Sequence, residues 1–193
     1  MKIGKTERKG EAMKTGEILH RFTAKDGREV ILRTLQWKDL DDLLEYINSM
    51  VDEGADIVMD HKVTRDEETD WLRRRLAAID KGNVIDLVAE VDGKVVANSE
   101  LAKKEGYSSH IGEIGIAIKQ DYRDIGIGTE MLKTLIAEAE KTGLKTLTLR
   151  AFSTNKRAIR LYERVGFKAT GRISKKFYKN GRYIDEITMT KEI

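Results

Sequence analysis

Apolar residues recur along this chain with two different periods, and the places where the period changes mark its elements. Leu40, Leu43, Leu44, Ile47 and Val51 lie three or four apart, on one side of a helix. Thr64 followed by Glu67 makes a capping box, so a second helix is predicted from there through about residue 79. Met131, Leu132, Leu135, Ile136 and Ala139 predict a third over 130–141, with Lys133, Glu138 and Lys141 elsewhere around it. Ala158, Leu161, Tyr162 and Val165 predict a fourth over about 155–165.

Between the helices, alternation and short apolar runs predict strands over 17–24, 28–35, 84–91, 94–102, 111–119, 145–150, 167–174 and 183–190. Lys25-Asp26-Gly27 turns the first pair into a hairpin. Asp92-Gly93 does the same for 84–91 and 94–102, because a two-residue turn needs positive backbone angles that Asp-Gly tolerates. Residues 1–16 are polar, lysine-rich and aperiodic, so a disordered leader is expected ahead of one domain over 17–193. The mixture predicts an α+β fold.

Composition narrows function by exclusion. A chain of 193 residues is the size of one domain with a substantial core. The lack of cysteine removes disulfides, thiolate metal sites and a cysteine nucleophile. His20, His61 and His110 are scattered, so no metal is expected. No long apolar run or charged-then-apolar leader is present, so no membrane partner is expected and a cytoplasmic location is. Net charge is only +3, but it is unevenly distributed. Asp52, Glu53, Asp56, Asp60, Asp66, Glu67, Glu68 and Asp70 crowd one segment, whereas 150–182 is densely basic with Glu163 as its lone acid before Arg182 is reached. Opposite charge on two segments of one domain suggests two ligands of opposite sign.

The run Arg123-Asp124-Ile125-Gly126-Ile127-Gly128 sits between a predicted strand and a predicted helix. Two glycines two apart let the backbone approach an anion, and the helix start adds unpaired N–H groups and the positive end of its dipole. It is not a Walker loop, for no Gly-Lys-Ser/Thr follows at the required gap. Nor does it fit a Rossmann fingerprint, since Met131 stands at the third glycine position and strand 145–150 ends in arginine.

What remains, Arg/Gln-x-x-Gly-x-Gly/Ala, resembles the acetyl-coenzyme A loop of the GNAT superfamily of N-acetyltransferases. Asn155, Ala158, Tyr162 and Gly166-Phe167 are similar to a second signature of that superfamily. The ending, from Gly171-Arg172 through Asn180-Gly181-Arg182-Tyr183 to Asp185 and Met189, resembles the branch of ribosomal-protein N-terminal and spermidine acetyltransferases. The resemblance covers about residues 28–193. It implies a mixed, mostly antiparallel sheet of about six to seven strands flanked by about four helices.

The resemblance also implies a reaction. Acetyl-CoA is the cosubstrate, without a metal, and the acceptor is a primary amine on a protein N-terminus, a lysine or a polyamine. An alkylamine has a pKa near ~10, so a base or a water chain must take its proton. The leaving thiol, of pKa about 8.5, benefits from a proton donor. The resemblance gives that role to Tyr162; packing on its helix face is the alternative. Glu113, in the strand ahead of the loop, is the leading base candidate, against a solvated strand carboxylate. His110 is the second candidate, against a surface histidine.

Ile116, Ala117 and Ile118 resemble the segment that runs beside the pantetheine arm. Gly126, Ile127, Gly128 and Thr129 are expected to give amides to the pyrophosphate, with Arg123 reaching a phosphate oxygen and Asp124 in the same loop. Asn155 caps its helix, binds the cofactor arm, or both, and Arg157 belongs to the basic segment that complements the phosphates. Two other readings stay open: a nucleic-acid or ribonucleoprotein-binding module, for which no RNA-binding signature appears, and a catalytically silent CoA-binding protein. A homodimer is an open possibility.

Overall fold

In the computed structural model, which describes residues 13–193, the Lys25-Asp26-Gly27 turn folds β1 (Ile18–Thr23) back against β2 (Glu29–Thr34). Most of the expected leader lies outside the described residues. Its last part, 13–16, is fastened to β2: the Thr34 hydroxyl donates to the Lys14 carbonyl at 2.6 Å and the Gly16 N–H to Leu35 O at 3.1 Å.

Two helices follow, α1 (Leu40–Asp52) and α2 (Arg65–Asp80). The capping box at the start of α2 is made: Thr64 accepts from the Glu67 N–H, and the Glu67 carboxylate accepts from the Thr64 N–H at 2.7 Å. Next come β3 (Val84–Val91) and β4 (Lys94–Lys103), joined at Asp92 and Gly93 with φ of 50° and 75°. β5 (Ile111–Ile118), α3 (Ile127–Lys141), β6 (Thr146–Phe152) and α4 (Lys156–Arg164) lead into the closing hairpin of β7 (Lys168–Lys179) and β8 (Arg182–Glu192).

The strands form one sheet in the order β1-β2-β3-β4-β5-β6-β8-β7, antiparallel throughout except between β5 and β6. This is the expected mixed α+β sheet. It has eight strands rather than six to seven, because β1 adds an outer edge.

β3 is buried on both faces and divides the core. Val88 joins Val95, Leu35, Leu43, Leu72, Leu76 and Ile79 under α1 and α2. Leu87 and Ala89 join Leu32, Ala97, Met131, Leu132 and Leu135 under α3, continuous with Leu147, Leu149, Tyr162, Phe167 and Met189. Each fully buried Leu or Met contributes on the order of 1.5–3 kcal/mol, so both faces of the sheet are firmly covered.

Two boundaries differ from expectation. α3 starts at Ile127 rather than 130, its first turn drawn in by the buried side chain of Ile127. The closing hairpin runs on to an Asn180-Gly181 turn with φ of 52° and 76°. β7 is exposed almost throughout and bulges between Ile173 and Phe177, with Lys175 at φ 54°, so it carries no alternation to read. Among the described residues no helix is long and apolar enough to cross a membrane.

Candidate active site

β5 and β6 pair only from Ile111 and Thr146 to Ile114 and Leu149. Beyond that point β5 stays bonded to β4 as far as Ile118, and β6 stays bonded to β8 as far as Phe152. The two neighbours part inside a continuous sheet. Backbone groups of 115–118 that point toward β6 therefore lose their strand partner and, apart from Ile118 O, which accepts from Arg123, are open to a ligand. Two cavities of about 530 and 790 Å³ open at this fork, and Ile116, Ala117, Asn155, Ala158 and Tyr162 line both.

The first cavity gathers the residues expected around acetyl-CoA. Ile118 lines it on one side of the fork, and Arg123, Asp124, Gly126, Gly128 and Thr129 line its end. Gly126 is the N-cap of α3 at φ 106°, a conformation that glycine adopts without strain. The Thr129 and Glu130 N–H groups both reach Gly126 O at 3.1 Å, so the amides of Ile127 and Gly128 precede the first bonds of the helix and remain for an anion. The Ile127 side chain is buried in the core, so its amide is the part that can serve. At Gly128 the constraint is space: a Cβ would lie 2.9 Å from Leu161 Cδ2 and 3.0 Å from Ile118 Cδ1.

Arg123 is already engaged. Its Nε donates to Ile118 O at 2.7 Å and its Nη2 to the Glu53 carboxylate at the end of α1. In this arrangement it braces the loop rather than standing free for a phosphate. Lys25, Arg157, Arg160 and Arg164 supply the positive charge that lines the cavity. Lys25 arrives from the first hairpin turn, held by its N–H to Ile125 O at 2.9 Å. Sequence reading missed it because nothing local links it to the loop. Arg160 and Arg164 were visible only as part of a basic run.

On the other side of the fork, Asn155 Oδ1 accepts from the Ala158 N–H at 3.1 Å and caps α4, and the residue lines both cavities. Tyr162 is 5% exposed, rests edge-on against Phe167 and lines both cavities. Burial pushes its phenol up to about 12, so it stays protonated and can donate.

Glu113 lines the second cavity, where Lys104 and Arg150 both clamp its carboxylate. Burial works to raise its pKa, but the two cations outweigh that and hold it below the usual carboxylate range. A carboxylate so stabilised is a weak base, which argues against the role expected for it. His110 lies at the far end of β5 and lines neither cavity; its carbonyl accepts from the Lys145 N–H at 2.8 Å.

The second cavity is walled by α1, α2 and the segment between them, and by β7 and β8 across the fork. Most of the acidic segment is neutralised locally. Asp52 meets Lys62 at 2.9 Å, Glu53 meets Arg123, Asp60 meets His61 at 2.8 Å, and Asp70 meets Arg73. Lys179 Nζ reaches Asp56 Oδ1, Gly54 O and Ala55 O, each at 2.8 Å, tying β7 to the end of α1. Asp56, Glu67 and Glu68 of that segment line the cavity, and of the three only Glu68 is buried, at 7% exposed. In sequence it reads as an ordinary first-turn acid of α2, which is why it went unnoticed.

Residues 48–167 match the Acetyltransferase (GNAT) family. A curated relative, "Probable N-acetyltransferase camello" of Xenopus tropicalis, is 33% identical over 103 residues, 51% of this chain and 47% of that protein. The chain thus spans about half the length of that relative. Among solved structures, a ribosomal-protein-alanine N-acetyltransferase from Brucella melitensis superposes with a TM-score of 0.74 at 26% identity, covering 84% of this chain and 99% of that one. A GNAT superfamily phosphinothricin acetyltransferase from Sinorhizobium meliloti, solved with acetyl-CoA, has the same fold at a TM-score of 0.75 and 20% identity, covering 89% of each chain.

Proposed function

The chain belongs to the GNAT family of acetyltransferases, and from that premise we propose that it transfers acetyl from acetyl-CoA directly to a primary amine, on a protein N-terminus, a lysine or a polyamine. Residues 17–193 act as one catalytic domain, since a single sheet carries both cavities. The observation that supports the reading best is the position of Tyr162, a buried protonated phenol in the wall common to two chambers. One chamber has the glycine-capped amides and cations suited to a diphosphate. The other opens on the opposite side of the fork and is bordered by carboxylates.

In this reading the chain does little covalent chemistry and much positioning. The amides of Ile127 and Gly128 hold the diphosphate, with Arg157, Arg160 and Arg164 adding charge. The open backbone edge of 115–118 aligns the arm of the cosubstrate. Tyr162 gives its proton to the departing sulfur as the amine nitrogen bonds to the acyl carbon. The convergence of Lys25 and the α4 arginines on one cavity favours this over an RNA-binding surface.

Thiol release from acetyl-CoA, measured against 1,4-diaminobutane, spermidine, an Ala-initiated peptide and a Lys-containing peptide, tests it. Release that depends on one of these amines is expected. Release with none of them, despite bound acetyl-CoA, overturns it in favour of a silent binding module.

A further inference from the structure

Glu68 and Glu186 stand out among the charged groups of the second cavity. They are 7% and 4% exposed, and among the described residues neither carboxylate has an ion pair or a hydrogen bond. The other acids of that cavity are all engaged. Asp56 is bound by Lys179, Glu67 caps α2, Glu100 meets Arg75, and Glu113 meets Lys104 and Arg150. Arg74 and Lys176 are at the exposed rim, and His61 is turned to Asp60. Tyr46, from α1, is buried and its phenol is driven upward by burial, so it is neutral.

The two residues are largely buried, yet among the described residues no side-chain oxygen is sealed off without a partner, so both carboxylates meet the open space of the cavity, where an entering cation would supply the ion pair that the fold does not. Leu43, Ile47, Trp71 and Phe177 line the same chamber and give it apolar wall between its charged groups. A cation on a hydrocarbon stem satisfies both demands. Glu186 lies on β8, across the fork from α2, so the chamber receives negative charge from two sides.

Resting on the acetyltransferase reading, we propose that Glu68 on α2, rather than Glu113 on β5, receives the acceptor ammonium group in this cavity and takes its proton. The ammonium nitrogen surrenders two protons in the reaction. One passes to Glu68 and from there to solvent, which frees the lone pair. That pair then forms the bond to the thioester carbonyl carbon and the C–S bond breaks. The sulfur leaves with the Tyr162 proton, and the second proton from nitrogen restores the phenol by way of solvent. Burial pushes the Glu68 carboxyl up to about 7, a value suited to exchanging protons near neutral pH.

The test is thiol release with the same four amines, using wild type, Glu68→Gln, Glu68→Asp and Glu186→Gln, each with its acetyl-CoA affinity measured by calorimetry. For the best amine, Glu68→Gln should lower kcat/KM by about 10²–10³-fold with acetyl-CoA affinity within about twofold. Glu68→Asp should recover part of the rate, and Glu186→Gln should act mainly on KM. The wild-type profile of kcat/KM should rise with a midpoint near pH 7 that Glu68→Gln abolishes. Unchanged turnover in Glu68→Gln overturns the proposal while leaving the acetyltransferase reading in place. So does equal loss in Glu186→Gln, or a persistent limb near pH 7. No release by wild type with any of the four amines removes both.

Discussion

The Arg123 guanidinium, in the turn ahead of α3, meets the carboxylate of Glu53, the residue just past the end of α1, seventy positions earlier in the chain. Both side chains are largely buried and both line the first cavity, so the contact ties the turn ahead of α3 to the start of the segment whose residues 56–59 go on to line the second.

If Arg123 is a brace, Glu53→Gln should weaken acetyl-CoA binding much as Arg123→Ala does, and the double substitution should cost little more than either. A residue that bound phosphate directly would behave otherwise, with Glu53→Gln neutral or favourable. Calorimetric affinities of the four proteins in this cycle decide between the two.

The two glycines of the loop should fail in different ways. Gly126→Ala places a side chain in open space but at φ 106°, so it should distort the loop and raise the acetyl-CoA dissociation constant several-fold or more. Gly128→Ala drives a Cβ into Leu161 and Ile118, so overpacking should cost about 1–3 kcal/mol of stability as well. Thermal melts with and without acetyl-CoA separate a binding defect from a packing defect.

Tyr162→Phe keeps the ring against Phe167 and removes only the proton donor. Turnover should drop by about 10²-fold or more while acetyl-CoA affinity and melting temperature change little. Steady-state kinetics beside calorimetry checks this, and equal turnover removes Tyr162 from the chemistry.

Glu68 also predicts a pH dependence of stability. Its folded pKa, about 7, lies above its ordinary value of 4.5, so the folded state holds a proton that the unfolded state has already lost. Its favourable contribution is complete below about pH 4.5 and disappears as pH rises through 7, a loss of roughly 3 kcal/mol. Denaturant midpoints from pH 5 to 8 should show this decline in wild type, and Glu68→Gln should flatten it. The substitution that slows the enzyme should thereby strengthen the fold at pH 8.

Local signals carried most of the fold. The Asp-Gly turn, the Thr64 and Glu67 capping box and the helical spacing of Leu40 to Val51 are decided by residues near each other in the chain, and each formed as expected. β7 was expected over 167–174 and formed there, but its continuation to Lys179 was not legible because an exposed edge strand has no buried face to impose alternation. The part of the first cavity made by the loop ahead of α3 and by α4 was legible for the same local reason, whereas Lys25 and residues 50–57 reach it from distant parts of the chain. The second was not, since Glu68 and Glu186 meet it from elements more than a hundred residues apart, and burial, the property that makes Glu68 reactive, is invisible in a first-turn acid.

The parting of β5 from β6 divides labour along the chain as well as in space. On the proposed assignment, the residues that handle the donor lie mostly in one continuous stretch, from β5 to the end of α4, joined by Lys25 and by residues 50–57. The acceptor chamber draws its remaining walls from α1, α2 and the final hairpin. On that assignment, substitutions in those outer segments retune which amine is taken while leaving the thioester machinery in place.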